Sequence, residues 1–173
     1  MELKSLTNDK LVALVKQRRI KPADLTDAGI CPTCFDRENN NVLYGDNTNM
    51  IIYEDDDFEA FLVGNPRAEG HTAISTKIHY KDIMEADDET CKKIIVLAKT
   101  IMNYIKEIYG AESVYLCTMC DGPMNHFHVQ LIPRYPYEER GSDNFVKPRT
   151  VYVEDKEKIF KLREKLNYNS QQN

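Results

Sequence analysis

The chain has 173 residues, of which 29% are charged, and a formal net charge of −5. That length suits one domain with a sizeable core. An acidic balance with no basic run excludes a general binder of nucleic-acid polymers. No apolar run reaches bilayer-spanning length, and Met1-Glu2-Leu3-Lys4-Ser5 lacks the apolar centre of an export signal. The expectation is a soluble protein of the reducing cytoplasm, with neither membrane nor nucleic-acid partners.

The spacing of Leu11, Leu14, Val15 and Arg18 predicts a helix from about Thr7 to Arg19, capped by Thr7 or Asn8. Pro22 opens a second short helix that ends at Gly29. Cys31-Pro32-Thr33-Cys34 follows, then a polar loop from Asp36 to Asn41. Met50–Glu54 and Phe58–Val63 flank the acidic turn Asp55-Asp56-Asp57 in the outline of a hairpin. That triplet reads as a solvated turn or a metal loop, and it lacks the ligand spacing of a calcium loop. Turn formers from Gly64 to Gly70 lead into a third strand, His71–Lys77. The strongest helical pattern starts near Asp87 or Asp88, aligns Ile94, Leu97, Ala98, Ile101, Ile105 and Ile108, and stops before Gly110.

Val114–Met119 and Asn125–Arg134 read as antiparallel strands joined across the turn Asp121-Gly122-Pro123. The chain then turns polar and aromatic, passes an extended piece at Val151–Val153, and closes with a helix over Lys156–Leu166 and a frayed Asn/Gln/Ser tail. The predicted class is α+β: a five-stranded, mostly antiparallel sheet with one long helix on a face and further helices at both termini. A core of about residues 31–134 then carries extensions over 1–30 and 135–173 within a single domain.

The segment Asn125–Arg134 organises the rest. His126, His128 and Gln130 alternate with Phe127, Val129 and Leu131, the period-two signature of a half-buried strand. One face enters a core, and the other carries two imidazoles and a carboxamide about 7 Å apart. Such a row can grip a phosphate, share a metal, or merely hydrogen-bond at a sheet surface. The other two histidines, His71 and His79, bracket the third strand. Five cysteines in a chain without an export signal favour metal or redox use over structural disulfides. Cys31 and Cys34 have zinc-knuckle separation and can give two thiolates to a tetrahedral ion that needs two more ligands. A redox pair and two ordinary buried cysteines are the alternatives, the redox pair lacking a surrounding βαβ pattern.

Taken in order, Pro66-x-x-x-Gly70-His71, Lys77-Ile78-His79 and His126-x-His128-x-Gln130 ending in Leu131-Ile132-Pro133-Arg134 resemble the histidine triad (HIT) superfamily over roughly Cys31 to Arg134. Gln130 in the third triad position resembles the transferase side, galactose-1-phosphate uridylyltransferase and the diadenosine tetraphosphate phosphorylases. The resemblance implies a HIT-like fold, a small-molecule nucleotide substrate and a homodimer, which an exposed sheet edge favours. It implies His128 as nucleophile toward an α-phosphorus, chemistry open to a neutral imidazole whose other nitrogen is held by a carbonyl. Gln130 then donates its amide N–H to a non-bridging oxygen.

The same resemblance implies a structural zinc held by Cys31, Cys34, His79 and His126, and a packing role for His71. Asn65, with Ile52, Phe61 and Leu62, is expected at a nucleoside pocket. Asn125 or Cys120 either meets phosphate from the loop or is a simple turn residue, and Arg134 meets phosphate or solvent. Val63 stands where the family's ribose-contacting residue belongs, which leaves base and sugar open. Dinucleoside polyphosphates, nucleotide phosphoramidates and nucleotide-sugars are all implied as substrates. Tyr104, Tyr109 and Tyr115 read as core or interface aromatics. Two other functions fit the residues: a metallohydrolase whose catalytic ion is shared by His126 and His128, and a zinc-stabilised nucleotide-sensing module without turnover.

Overall fold

A computed structural model of the chain describes residues 2–120 and 122–167. Asp121 of the expected turn and the expected frayed tail, 168–173, lie outside the described residues. Five strands form one sheet in the order β1-β2-β3-β5-β4, and every neighbouring pair is antiparallel. The strands are β1 (Ile51–Glu54), β2 (Phe58–Leu62), β3 (Thr72–Thr76), β4 (Ser113–Cys117) and β5 (His128–Arg134). The α+β class and the sheet expected from the sequence are both present.

Alternation along the strands sorts the two faces. Phe58, Ala60, Leu62, Ile74, Val129 and Leu131 belong to one core, with Ile94, Ala98, Ile101 and Ile105 of α4 (Asp88–Tyr109). Each buried Val, Leu, Ile or Phe side chain among these contributes roughly 1.5–3 kcal/mol of burial. Asp87 caps α4 by accepting the Thr90 N–H at 2.8 Å, and Gly110 ends it at φ 74° in the left-handed region. Among the described residues no helix is long and apolar enough to cross a membrane.

The C-terminal helix α6 (Lys156–Lys165), numbered after the short α5 (Asp143–Val146), adds Ile159 and Leu162 to the same core. Arg163 of α6 also donates to the Ile51 carbonyl at 2.8 Å, which ties the helix to edge strand β1. A second, smaller core joins Leu11 and Val15 of α1 (Asn8–Lys16), Leu25 of α2 (Pro22–Asp27) and Phe35. α1 stops three residues short of the predicted end. Arg18 takes φ 56°, and the Arg19 N–H returns to the Leu14 carbonyl at 2.9 Å.

Of the polar loop expected from Asp36 to Asn41, the first three residues instead end a helix, α3 (Pro32–Glu38), and the turn begins at Asn39. Pro32 occupies its first turn, where the missing N–H costs nothing, and the Cys31 sulfur accepts the Cys34 N–H. Asp36 is buried and accepts the N–H groups of Leu43 at 2.5 Å and Tyr44 at 3.3 Å, fixing the loop that follows. The acidic turn is a hairpin turn: Asp55 accepts from Asp57 N, Phe58 N and the Tyr53 hydroxyl. Ile52, expected at a nucleoside pocket, is fully buried in the main core, because alternation along β1 turns it to the α4 side.

Candidate active site

The sheet face away from α4 lines a cavity of about 980 Å³. Its wall runs from Arg37 of α3 across Glu59 and Phe61 of β2 and Ser75 of β3 to His128 and Gln130 of β5. Asn65 and Arg149 stand on the same lining. The register Phe61↔Ala73↔Gln130 and Glu59↔Ser75↔His128 lays these side chains in two rows across three strands.

His71 sits just before β3, behind Gly70. Gly70 has φ 73°, and a Cβ there would lie 3.1 Å from the Tyr109 ring, so the turn that delivers His71 requires glycine. The imidazole is 1% exposed. The Arg67 N–H donates to its Nδ1 at 3.0 Å, which leaves the proton on Nε2 to donate to Gln130 Oε1 at 3.1 Å. Burial holds the ring neutral with a pKa lowered to about 4, reinforced by the nearby charges of Arg149, Arg67 and Lys147. With its oxygen held, Gln130 presents its amide nitrogen 3.4 Å from His128 Nε2. His128 in turn donates Nδ1–H to the His126 carbonyl at 2.8 Å. Nε2 is therefore the unprotonated nitrogen of a ring that lines the cavity.

His126, two residues upstream, lies outside the paired strand and is 6% exposed. Its Nε2–H donates to the Thr76 carbonyl at 2.7 Å. Nδ1 consequently faces Cys31 Sγ at 3.5 Å and Cys34 Sγ at 3.4 Å, while His79 Nδ1 lies 3.3 Å from Cys34 Sγ. All four donor atoms fall within 4.8 Å of one another. A tetrahedral ion with bonds of about 2.3 Å to sulfur and about 2.0 Å to nitrogen separates the two donors by about 3.5 Å. The cluster fits such an ion. Burial and the neighbouring Cys31 thiol push Cys34 up to about 12, and burial drops His126 to about 4. A bound cation would favour the thiolate over the thiol and would need no proton removed from the imidazole. Because both nitrogens of His126 are engaged, neither is left for an ion shared with His128.

The remaining expected site residues divide. Asn65, Phe61 and Leu62 line the cavity. Asn125 does not: its amide closes the preceding loop on Gly122, accepting from N at 3.1 Å and donating to O at 2.8 Å. Cys120 Sγ lies 3.5 Å from the Thr118 hydroxyl, away from the lining. Arg134 meets neither phosphate nor solvent. It is buried, paired with Glu112 at 2.8 Å, and donates to the Glu138 carbonyl at 3.1 Å. Sequence reasoning passed over Glu59, Ser75 and Arg149. Period-two alternation through Phe61 marks Glu59 as a neighbour on the same face, whereas nothing periodic marks Arg149.

A family model described as the HIT domain matches residues 45–137. The chain belongs to the HIT family. A HIT-like protein of Methanocaldococcus jannaschii is 33% identical over 99 residues, 54% of this chain and 75% of that protein. Among solved structures, a histidine triad nucleotide-binding protein from Sulfolobus tokodaii is 24% identical with a TM-score of 0.61, covering 79% of this chain and 92% of that one. A Zn-bound histidine triad family protein from Mycobacterium smegmatis is 20% identical with a TM-score of 0.61, covering 79% and 93%. Both share the HIT fold with this chain. Family membership accounts for the ordered histidine motifs, while the cysteine pair and Arg149 lie outside the matched residues.

Proposed function

We propose that this HIT protein is a nucleotidyl hydrolase or transferase that works through a covalent bond between His128 and an α-phosphorus. The observation that carries the reading is the His128 ring: Nδ1–H is held by the His126 carbonyl at 2.8 Å, which aims a bare Nε2 at the cavity. In the first step the Nε2 lone pair attacks phosphorus, a P–N bond forms, and the bond to the leaving group breaks with its electron pair. The ring becomes cationic and keeps its Nδ1 proton on the carbonyl, which stabilises that charge. Gln130 donates an N–H to a non-bridging oxygen, aligned by the proton His71 gives its carbonyl. In the second step water or another acceptor oxygen attacks phosphorus and gives up its proton to solvent, while the P–N bond breaks with its electron pair returning to Nε2, restoring the neutral ring.

Cys31, Cys34, His79 and His126 hold a structural zinc in this reading. That ion supplies rigidity, because His126 provides both one ligand and the carbonyl that orients His128. The protein acts on small nucleotides in a reducing, cytoplasmic compartment, where the thiols stay available. It forms a homodimer through the half-buried edge strand β4, a state read by light scattering of the eluting protein. The covalent step is tested by incubation with labelled adenylyl or uridylyl donors, acid-free quenching, and peptide mapping. Label on His128 that is absent from His128→Ala is the expected result. Turnover with no label at that ring, or with the label undiminished in the variant, sinks the reading.

A further inference from the structure

We propose that Arg149 is an anion-binding residue that engages the phosphate of the leaving group, making nucleotides with a polyphosphate chain the preferred substrate class. This rests on the covalent reading above. Arg149 lies beyond the matched family residues 45–137, on a strap fastened across the β2–β3 loop. Thr150 N donates to the Pro66 carbonyl at 2.7 Å, and the Arg67 guanidinium donates to the Lys147 carbonyl at 2.5 Å, so the backbone is held on both sides of Arg149. Its guanidinium donates once, to the Asn65 carbonyl at 2.7 Å. A guanidinium carries five N–H groups. No carboxylate pairs with this one among the described residues.

The other cations near the cavity are committed. Arg37 donates to the carbonyls of Thr76 and Lys77. Lys147 is occupied by Glu138 at 2.8 Å and the Pro133 carbonyl at 2.9 Å. Arg37 and Arg149 both line the cavity and both bond only carbonyls, but Arg37 spreads its guanidinium over two of them beside Glu59. Arg149 makes a single bond at the other end, and its charge reaches His71, the partner of Gln130.

Charge along the cavity has a direction. Glu54 and Glu59 face each other across the hairpin at one end of β2, with Asp36 nearby. Burial, Glu54 and Asp36 raise the Glu59 pKa, while Arg37 and Lys77, the latter paired with Glu54 at 2.8 Å, offset these carboxylates in part. Asn65 and Arg149 stand past the other end of β2. By register, His128 is level with Glu59 and Gln130 with Phe61, so Gln130 falls on the Arg149 side of the nucleophile. A nucleotide lying this way sets its donor-rich nucleoside toward the carboxylates and the phosphates beyond the scissile bond toward Arg149. The reverse orientation sets those phosphates among three carboxylates that Arg37 and Lys77 offset only in part. An amine leaving group gains nothing from Arg149, whereas a phosphate accepts a bidentate pair of charge-assisted bonds.

The test uses the full zinc-loaded chain as wild type, Arg149→Gln and Arg149→Lys. Inorganic pyrophosphate is titrated by calorimetry, and binding is expected to weaken about tenfold in the Gln variant, with Lys keeping part of it. In parallel, kcat/KM for a diadenosine polyphosphate is divided by that for an adenosine phosphoramidate, and the ratio is expected to fall about tenfold in Arg149→Gln. Equal pyrophosphate affinity in wild type and Gln variant, or an unchanged ratio, overturns the assignment. If neither substrate turns over and His128 takes no label, the covalent reading fails by itself, and the pyrophosphate titration still decides for or against Arg149.

Discussion

His126 and His128 are two residues apart and alternate onto the same side of the chain, yet their surroundings give them opposite tasks. His126 spends both ring nitrogens inside the protein, one on the Thr76 carbonyl and one toward two thiols. His128 spends one on the carbonyl of His126 itself and turns the other, with the Gln130 amide 3.4 Å away, to the cavity. What separates them is the neighbouring element. α3 brings sulfur to the first, and the open face of β2 and β3 leaves space before the second. Identical side chains in one periodic row take their roles from what faces them.

That contrast breaks most sharply at the second ring. His128→Ala should lower kcat/KM by at least about 10⁴-fold in the proposed reaction, with metal content unchanged and little shift in Tm. Retained turnover would mean the two imidazoles are not divided as described. Cys31→Ser attacks the first ring. Zinc per chain, measured by atomic emission, should fall from near one to near zero, with a Tm lower by roughly 10 °C. Where the variant is still folded, labelling of His128 should persist, and its immediate loss would show that the ion serves chemistry more than bracing.

His71 tests the hinge between the two halves of the site. His71→Phe should lower kcat by roughly tenfold to a hundredfold with KM little changed, because Gln130 loses the partner that aims its amide. The same ring predicts a pH effect. Its folded pKa is about 4, against about 6.5 for an exposed imidazole. Between those values the unfolded chain binds a proton that the folded chain refuses. Stability from neutral His71, set among Arg67, Lys147 and Arg149, is thus complete above about pH 6.5 and drains away as pH falls toward 4. Tm should fall more between pH 7 and pH 5 in wild type than in His71→Phe, and parallel curves would contradict the assignment. The smallest effect belongs to Cys120→Ser. Cys117 and Cys120 repeat the spacing of Cys31 and Cys34 without joining their four-donor cluster, so zinc content and Tm should stay at wild-type values.

Period and capping made much of the fold legible in advance. The aliphatic stripe of α4 between Asp87 and Gly110 and the alternation of β5 depend on neighbours in sequence, and such signals survive folding. α3 was hidden because Asp36, Arg37 and Glu38 make a polar run, and the short helix is carried by Pro32 and the cysteine cap. The cysteine–histidine quartet was readable only through motif order, since its members are 95 positions apart between Cys31 and His126. Arg134 was misplaced for a similar reason. Its partner Glu112 is set by the β4–β5 register, which no local pattern announces. The His71–Gln130 bond and the Arg149 strap are likewise products of topology, joining chain segments with no shared periodicity.

The C-terminal helix has a practical corollary. α6 follows the matched family residues, but Leu162 is fully buried beside α4 and Arg163 fastens the outermost strand. Trimming the chain back to the shared motif would not yield a minimal version of this protein. It would peel a greasy seam open along α4, unlatch β1, and leave a fragment inclined to clump before its chemistry could be assayed.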